Sequence, residues 1–134
     1  MVYLFDTNLW IQLLKKKTPG ARARVDGMDP VDIVTCSIVK AELWRGALKY
    51  EQPGPRLLDV NAALSPYRSL AFDDAAAHHY AALRHDLESC GEIIGPNDLK
   101  IAAIGLAHDL TIVTGNVGEF RRVLGLRVED WSQS

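Results

Sequence analysis

The stretch VYLFDTNLW, residues 2–10, joins a short apolar run to an acid and the start of a helix. Residues 2–5 are aromatic, β-branched or leucine, which favours a buried strand that ends at Asp6. Asn8 is of a type that caps helices, and the apolar residues that follow it recur with helical spacing. The stretch therefore predicts a strand followed directly by a helix, with a carboxylate at the carboxyl end of the strand.

The same alternation continues along the chain. Four further runs have strand character, at 31–36, 68–72, 110–114 and 126–131. Helical stretches separate them, which predicts a parallel sheet covered on both faces. We expect an α/β protein, a three-layer α/β/α sandwich whose central, mainly parallel sheet has about five strands. The length of 134 residues suits a single domain over 1–134.

Residues that break or cap helices predict the helix boundaries in the first half of the chain. Pro19 and Gly20 break the first helix, and a second short helix is expected over 20–27. Ser37 is expected to cap the helix that covers 38–50, because serine side chains accept hydrogen bonds from first-turn N–H groups.

In the second half, Asp73 is expected to cap a long helix that Gly91 closes. Its apolar residues step by four and three, as one helical stripe: Ala76, Tyr80, Leu83, Leu87 and Cys90. Pro96 suits the first turn of the next helix, which runs to about His108. A short helix is expected over 117–124.

Composition is that of an ordinary globular protein. Hydrophobic residues make up 48% and charged residues 24%, and no apolar run approaches the roughly 20 residues that span a bilayer. Two cysteines and a start without a signal peptide favour a reducing, cytoplasmic setting. The net charge of −2 divides into +3 over residues 1–56 and −5 over residues 57–134. The basic residues of the first half could meet phosphates or form a solvated helix face.

Three carboxylates lie near the predicted carboxyl ends of the strands, where ligands bind in such sheets. Asp6 ends the first strand, Glu42 lies in the helix after the second, and Asp98 lies in the first turn of the helix before the fourth. Taken singly, they could be a helix cap, a surface charge and a first-turn acid whose ionised form the helix dipole favours.

Taken together, the three acids predict one crevice that holds a divalent cation. Two like charges about 4 Å apart repel by about 4 kcal/mol at an effective dielectric of roughly 20, and a cation removes that cost. Ligation by oxygen alone suits Mg²⁺ or Mn²⁺ rather than zinc.

Four motifs, in order, resemble the PIN-domain family: FDTN (5–8), AEL (41–43), IGPNDLKIAA (94–103) and LGLRVEDW (124–131). Within that family the chain resembles the VapC-type ribonuclease toxins of bacterial toxin–antitoxin operons. The resemblance covers nearly the whole chain. It implies a metal-dependent endoribonuclease that uses Mg²⁺, with Mn²⁺ as a substitute, and cuts transfer or ribosomal RNA.

The resemblance also implies roles for individual residues. Asp6 and Asp98 would be the principal metal ligands, and Glu42 would complete the cluster or hold a water. One or two ions could act there. The residues expected to support the site are Thr7, Asn8 and Thr114.

The chain departs from the family pattern after the fourth strand. The family often places an acid where the stretch TGNVGEF (114–120) has Asn116, which is a neutral and weaker oxygen ligand. Glu119 shares a helix face with Asn116 and is the candidate substitute at this fourth position.

The implied partners are a VapB-type antitoxin protein, the RNA substrate and a second copy of the chain in a homodimer. The family's antitoxin lies across a groove between helices near the active site. Trp10, Trp44 and Tyr50 are the residues expected to contact it, the alternative being simple burial in the core.

Two other functions are open. Asn116 motivates a catalytically weak PIN domain that binds RNA or a protein, although the three acids favour an enzyme. A phosphotransfer or phosphatase domain would use Asp6 as its nucleophile. However, FDTN has no second aspartate two residues after Asp6, and no lysine follows LTIVT (110–114).

Overall fold

A computed structural model describes residues 1–131 of the chain. The strands of the described chain are β1 (Tyr3–Phe5), β2 (Ile33–Cys36), β3 (Arg68–Leu70), β4 (Thr111–Val113) and β5 (Arg127–Glu129). They form one sheet in the order β3-β2-β1-β4-β5, and every neighbouring pair is parallel. The predicted five-stranded parallel sheet is confirmed.

Helices fill both faces of this sheet. They are α1 (Thr7–Leu14), α2 (Pro19–Asp26), α3 (Ser37–Leu48), α4 (Pro53–Leu64), α5 (Asp74–Ser89), α6 (Pro96–Ala107) and α7 (Val117–Phe120). Since crossovers between parallel strands are right-handed in nearly all proteins, the strand order predicts α1–α4 on one face and α5–α7 on the other. The contacts agree, since α3 packs on α1 and α4 while α5 packs on α6. Over residues 1–131, no helix has the length and apolar character needed to cross a bilayer.

The core lies around the three central strands. Leu4, Val34 and Ile112 are each 0% exposed, whereas the edge strand β3 is exposed or half-buried throughout. Helix α6 lies directly against β4, because a Cβ added to Gly105 would stand 2.8 Å from Cδ1 of Ile112. The parallel pairing of β1 with β4, in which Phe5 lies opposite Val113, places the carboxyl ends of the two strands side by side.

Two predicted helix caps are wrong. Asp6 caps α1, with Oδ1 accepting a first-turn N–H at 2.9 Å, and Asn8 lies inside the helix. At α3 the cap position is Cys36. Ser37 is the first helical residue, and its hydroxyl accepts the backbone N–H of Phe72 at 3.1 Å. In both places the strand passes into the helix almost without a loop, so each helix begins earlier than its cap-type residue suggests.

The boundaries of the second half are closer to prediction. Asp73 caps α5, accepting the N–H of Ala76 at 3.0 Å, and Pro96 begins α6. Cys90 follows the end of α5 and is exposed, so the predicted apolar stripe stops before it. The helix expected over 117–124 is only the single turn α7, because the chain turns again before β5.

Candidate active site

Asp6 lies at the carboxyl end of β1, in the middle of the sheet, and is 2% exposed. Its backbone N–H donates to the carbonyl of Val113 at 3.1 Å, which continues the pairing of β1 with β4. Oδ1 accepts the N–H of Leu9 at 2.9 Å, and Oδ2 accepts the hydroxyl of Thr114 at 2.5 Å. Asp6 therefore caps α1 and faces the end of β4 at the same time.

A chain of hydrogen bonds connects Asp6 with the turn before α6. Thr114 donates to Asp6 and accepts the N–H of Asn116 at 2.9 Å. Nδ2 of Asn116 donates to Oε2 of Glu119 at 2.5 Å, and Oε1 of Glu119 accepts the N–H of Gly95 at 2.7 Å. Glu119 thus links α7 to the start of α6, and Asn116 acts there as a donor.

Glu42 is held by the first residue of α1. The hydroxyl of Thr7 donates to Oε1 of Glu42 at 2.6 Å, across the contact between α1 and α3. Glu42 is half-buried, and its charge reaches both Asp6 and Asp98. The simpler explanation of Glu42 as a solvated surface charge is therefore insufficient.

Asp98 differs from the other acids because it has no hydrogen bond or ion pair with any residue of 1–131. Burial is the main cause that raises the pKa of Asp98 from 3.8 to about 6, and the charges of Glu119, Asp6 and Glu42 raise it further. We expected the N-terminus of α6 to favour the ionised form. The pKa shifts in the opposite direction, because burial and the charges of neighbouring acids disfavour the ionised form.

Burial also raises the pKa of Asp6, an effect that the hydrogen bonds from Thr114 and Leu9 partly offset. The charges of Glu42 and Asp130 raise it further. Asp130 directly follows β5, next to β4 in the sheet, and we did not single it out from the sequence. Its position after a strand, in the stretch LRVEDW, was the available indication.

Within residues 1–131, four of these acids form no ion pair with a cationic side chain. None of the ion pairs in that range includes Asp6, Glu42, Asp98 or Glu119. As placed, no three Asp, Glu, His or Cys side chains of the described chain converge on one metal position. The donor chemistry nevertheless fits a hard divalent cation, since buried carboxylates lie within reach of one another's charge and Asp98 has no hydrogen bond to lose.

A cleft of about 540 Å³ opens beside Asp6. Its lining residues come from α1, the turn after it and the segment after β4: Asn8, Leu9, Ile11, Gln12, Lys15, Lys17, Gly115 and Asn116. Asn8, which we expected to support the site, lines this cleft together with Leu9, whose backbone N–H donates to Asp6. The sequence indicated basic residues that could meet phosphates, but not that amide groups would line the same cleft.

The three residues predicted to contact an antitoxin lie in different environments. Trp10 is 1% exposed and packs against Phe5 and Tyr67 in the core, so the prediction of a surface contact is wrong for it. Trp44 and Tyr50 are 40% and 47% exposed. These two remain available to a partner.

Comparison with known proteins gives a consistent answer. The PIN domain profile matches residues 3–125. The tRNA(fMet)-specific endonuclease VapC of Shigella flexneri is 36% identical over 130 residues, which cover 97% of this chain and 98% of that protein. DNA-bound VapBC from Salmonella typhimurium contains a chain with a TM-score of 0.92 and 34% identity, with 98% of each chain covered.

A second solved structure, VapBC2 from Rickettsia felis bound to a DNA fragment from their promoter, gives a TM-score of 0.90 at 32% identity. That match covers 98% of this chain and 99% of the other. Sequence profile, relatives and structures agree over nearly the whole length. The chain therefore belongs to the PIN-domain family and, within it, to the VapC group.

Proposed function

We propose that this chain is a metal-dependent endoribonuclease, the toxin of a toxin–antitoxin pair, with residues 1–134 forming one PIN domain that acts in the cytoplasm. The names of its relatives support a nuclease that cuts RNA. Asp98 is the observation that favours metal dependence. It is a partly buried carboxylate without a hydrogen bond in residues 1–131, and the charges of three other acids act on it.

In this proposal Asp6 and Asp98 hold the ion, and Glu42, which Thr7 orients, completes its surroundings or holds a water. Bound Mg²⁺, or Mn²⁺ in its place, supplies neutralising charge at the phosphate and lowers the pKa of the attacking water. Thr114 fixes the orientation of Asp6 through its short hydrogen bond.

Glu119 takes a positioning role in this proposal. Both of its carboxylate oxygens already accept hydrogen bonds, from Gly95 and from Asn116. Its charge nevertheless acts on Asp98 more strongly than that of any other acid. We therefore place Glu119 as the residue that orients the start of α6, and we favour one tightly held ion over two.

The proposed partners are a VapB-type antitoxin, a transfer or ribosomal RNA and a second copy of the chain in a homodimer. An exposed apolar surface on α3, α4 and the turn between them suits the antitoxin. Its residues are Trp44, Leu48, Tyr50 and Leu58, which are 40–71% exposed. The solved relatives, which are VapBC complexes, support such a partner.

Cleavage of total bacterial RNA by the antitoxin-free chain tests the nuclease. We expect discrete fragments with Mg²⁺ or Mn²⁺, and none with EDTA or with Asp98→Asn. Asp109→Asn is the matched control, because Asp109 is exposed and lies before β4, at the opposite end of the strand from Asp6. RNA that is cut in EDTA would show that the proposed metal dependence is wrong.

The alternative is a catalytically weak PIN domain that binds RNA or a protein. Asn116, in the place of an acid, favours it. Calorimetric titration of the folded chain with Mn²⁺ separates the two functions. A chain that binds no Mn²⁺ and cuts no RNA would be a binding module, whereas Mn²⁺ binding that Asp98→Asn abolishes would support the enzyme.

A further inference from the structure

The cleft beside Asp6 combines positive charge with amide groups and has no acid in its lining. Lys15 and Lys17 carry the charge, while Asn8, Gln12 and Asn116 supply the amides. Leu9 and Ile11 are its only large apolar side chains within the described chain, and no aromatic ring lines it. Such a lining suits a ligand that is anionic and rich in hydrogen-bonding oxygens.

The two lysines are not engaged elsewhere in the described chain. Both are exposed, and no ion pair or side-chain hydrogen bond within residues 1–131 involves either of them. Arg22, Arg24 and Arg127, by contrast, are each paired with an acid. The positive charge of Lys15 and Lys17 is therefore available to a ligand in the cleft.

A defined backbone turn brings Lys17 back into the cleft. The N–H of Lys17 donates to the carbonyl of Gln12 at 3.0 Å, and the N–H of Lys16 donates to that of Leu13 at 3.1 Å. With Lys16 at a φ of 57°, this is a Schellman motif at the end of α1. The turn returns Lys17 to the side of α1 that carries Gln12, whereas Lys16 does not line the cleft.

We propose that this cleft binds the phosphate backbone of the RNA on one side of the bond that is cut, an inference that rests on the proposed nuclease function. Two of its lining residues are close to Asp6: Asn8 follows it by two residues in the chain, and Asn116 donates its N–H to Thr114, whose hydroxyl donates to Asp6. From there it extends along α1, whose eight residues span about 12 Å. Lys15 and Lys17 therefore meet phosphates beyond the cut one.

The lining also indicates what the cleft contributes. Phosphate contacts fix the position of a nucleic acid without reading its sequence, and recognition of unpaired bases commonly uses stacking on aromatic rings. Since no aromatic ring lines the cleft in residues 1–131, it supplies affinity and register for single-stranded RNA. Selection of the cut sequence then depends on other surfaces.

Salt-dependent binding of a labelled single-stranded RNA tests the inference. All variants carry Asp98→Asn so that the RNA stays intact. The test pair is Lys15→Gln with Lys17→Gln, and the control pair is Lys16→Gln with Lys49→Gln, which removes the same charge outside the cleft. For single strands, the slope of log K against log salt changes by about 0.7 for each phosphate contact.

We expect the test pair to reduce the magnitude of that slope by about 1.4 and the control pair to leave it nearly unchanged. If binding near 1 M salt is equal, the loss for the test pair at about 0.1 M salt is roughly 25-fold. Equal slopes for the two pairs would overturn the inference, as would no RNA binding by the parent chain.

Two further outcomes separate this inference from the proposed function. If the chain does not cut RNA but the two variant pairs differ in slope, the RNA-binding role of the cleft is supported and the nuclease function is wrong. If the chain cuts RNA with metal but both variant pairs bind RNA equally, the nuclease function is supported and the RNA-binding role of the cleft is wrong. Weakened binding of a polyglutamate peptide by the test pair alone, with unchanged RNA slopes, would assign the cleft to a protein partner and overturn the RNA assignment.

Discussion

At the scale of single residues, Asp98 is a carboxylate that the fold holds unfavourably without a cation. Its pKa is about 6 in the folded protein against an ordinary value of 3.8. Above about pH 6 the ionised group therefore destabilises the fold, and this contribution disappears as pH falls through 6 toward 3.8. We expect Asp98→Asn to raise the Tm of the metal-free chain at about pH 7.5, with a gain that shrinks toward about pH 4.

Thermal unfolding in EDTA across that pH range is the measurement. Asp109→Asn serves as the control, because the side chain of Asp109 is 88% exposed and its ion pair with Arg127 is at the surface. A lower Tm for Asp98→Asn at about pH 7.5, or a gain that does not vary with pH, would contradict the burial of an uncompensated charge.

Thr114 is the residue on which the position of Asp6 depends. Its hydroxyl donates to Asp6 and accepts from Asn116, and Thr114 is 1% exposed. Thr114→Val keeps the shape but leaves both partners unpaired, which costs about 1–3 kcal/mol of unfolding free energy. Because that hydrogen bond lowers the pKa of Asp6, the variant also makes Asp6 harder to ionise and weakens Mn²⁺ binding.

Thr114→Ser retains the hydroxyl and is the matched control. Urea unfolding and Mn²⁺ calorimetry of both variants give the comparison. Serine that loses as much Mn²⁺ affinity as valine would show that packing of the methyl group, rather than the hydroxyl, is what matters at this position.

Individual residues were predictable to the extent that their chemistry is local. Asp6, at the end of an apolar run, could be placed from the sequence, because the strand that carries it is itself recognisable. The link from Glu119 to Gly95 spans 24 residues, and no local pattern reports such a contact. Trp10 was misplaced because an amphipathic helix does not show how deeply its neighbours cover one side chain.

At the scale of secondary-structure elements, substitution of alanine for glycine is expected to change folding stability in opposite directions at two helical positions. Nothing lies within 4 Å of a Cβ added to Gly46 in α3, so Gly46→Ala is expected to stabilise by about 0.5–1 kcal/mol. At Gly105 in α6 the added Cβ meets the fully buried Ile112 at 2.8 Å. Overpacking there costs about 1–3 kcal/mol.

Chemical denaturation of the two alanine variants checks this contrast. Both substitutions gain helix propensity, so the difference between them is the overpacking cost, and we expect Gly105→Ala to be less stable than Gly46→Ala by about 1–3 kcal/mol. Equal stabilities would mean that Ile112 moves aside freely and that α6 is not seated as tightly on β4 as the distance indicates.

The order of elements was predictable because apolar runs of strand length alternate with helical stripes. Their exact limits were not, and the errors have a common cause. At Asp6 and at Cys36 the residue that ends a strand also begins a helix, so one position satisfies both patterns. Gly105 shows the same limit, since only the packed structure reveals that a side chain there would meet β4.

At the scale of the whole molecule, the acids come from segments far apart in sequence, and the fold brings them close enough for their charges to act on one another. Asp6 follows β1, Glu42 lies on α3 and Asp98 on α6, so an ion among them would connect both halves of the chain. A ligand that binds only the folded state stabilises it by about 2.7 kcal/mol at 100 times its Kd. For a domain of 134 residues, this corresponds to a rise in Tm of roughly 10 °C.

Titrating the EDTA-treated chain with Mn²⁺ while following Tm tests this expectation. The parent chain should gain stability in proportion to the logarithm of the Mn²⁺ concentration once the site is saturated, and Asp98→Asn should gain little. Asp26→Asn should behave as the parent does, because Asp26 is an exposed acid on α2 whose ion pair within the described residues is with Arg22. A shift that is equal in all three chains would place Mn²⁺ elsewhere on the surface. If Tm shifts in none of them, the acids bind no ion and Asp6 serves only as the helix cap of α1. This follows because an ion bound between α3 and α6 must stabilise the folded state.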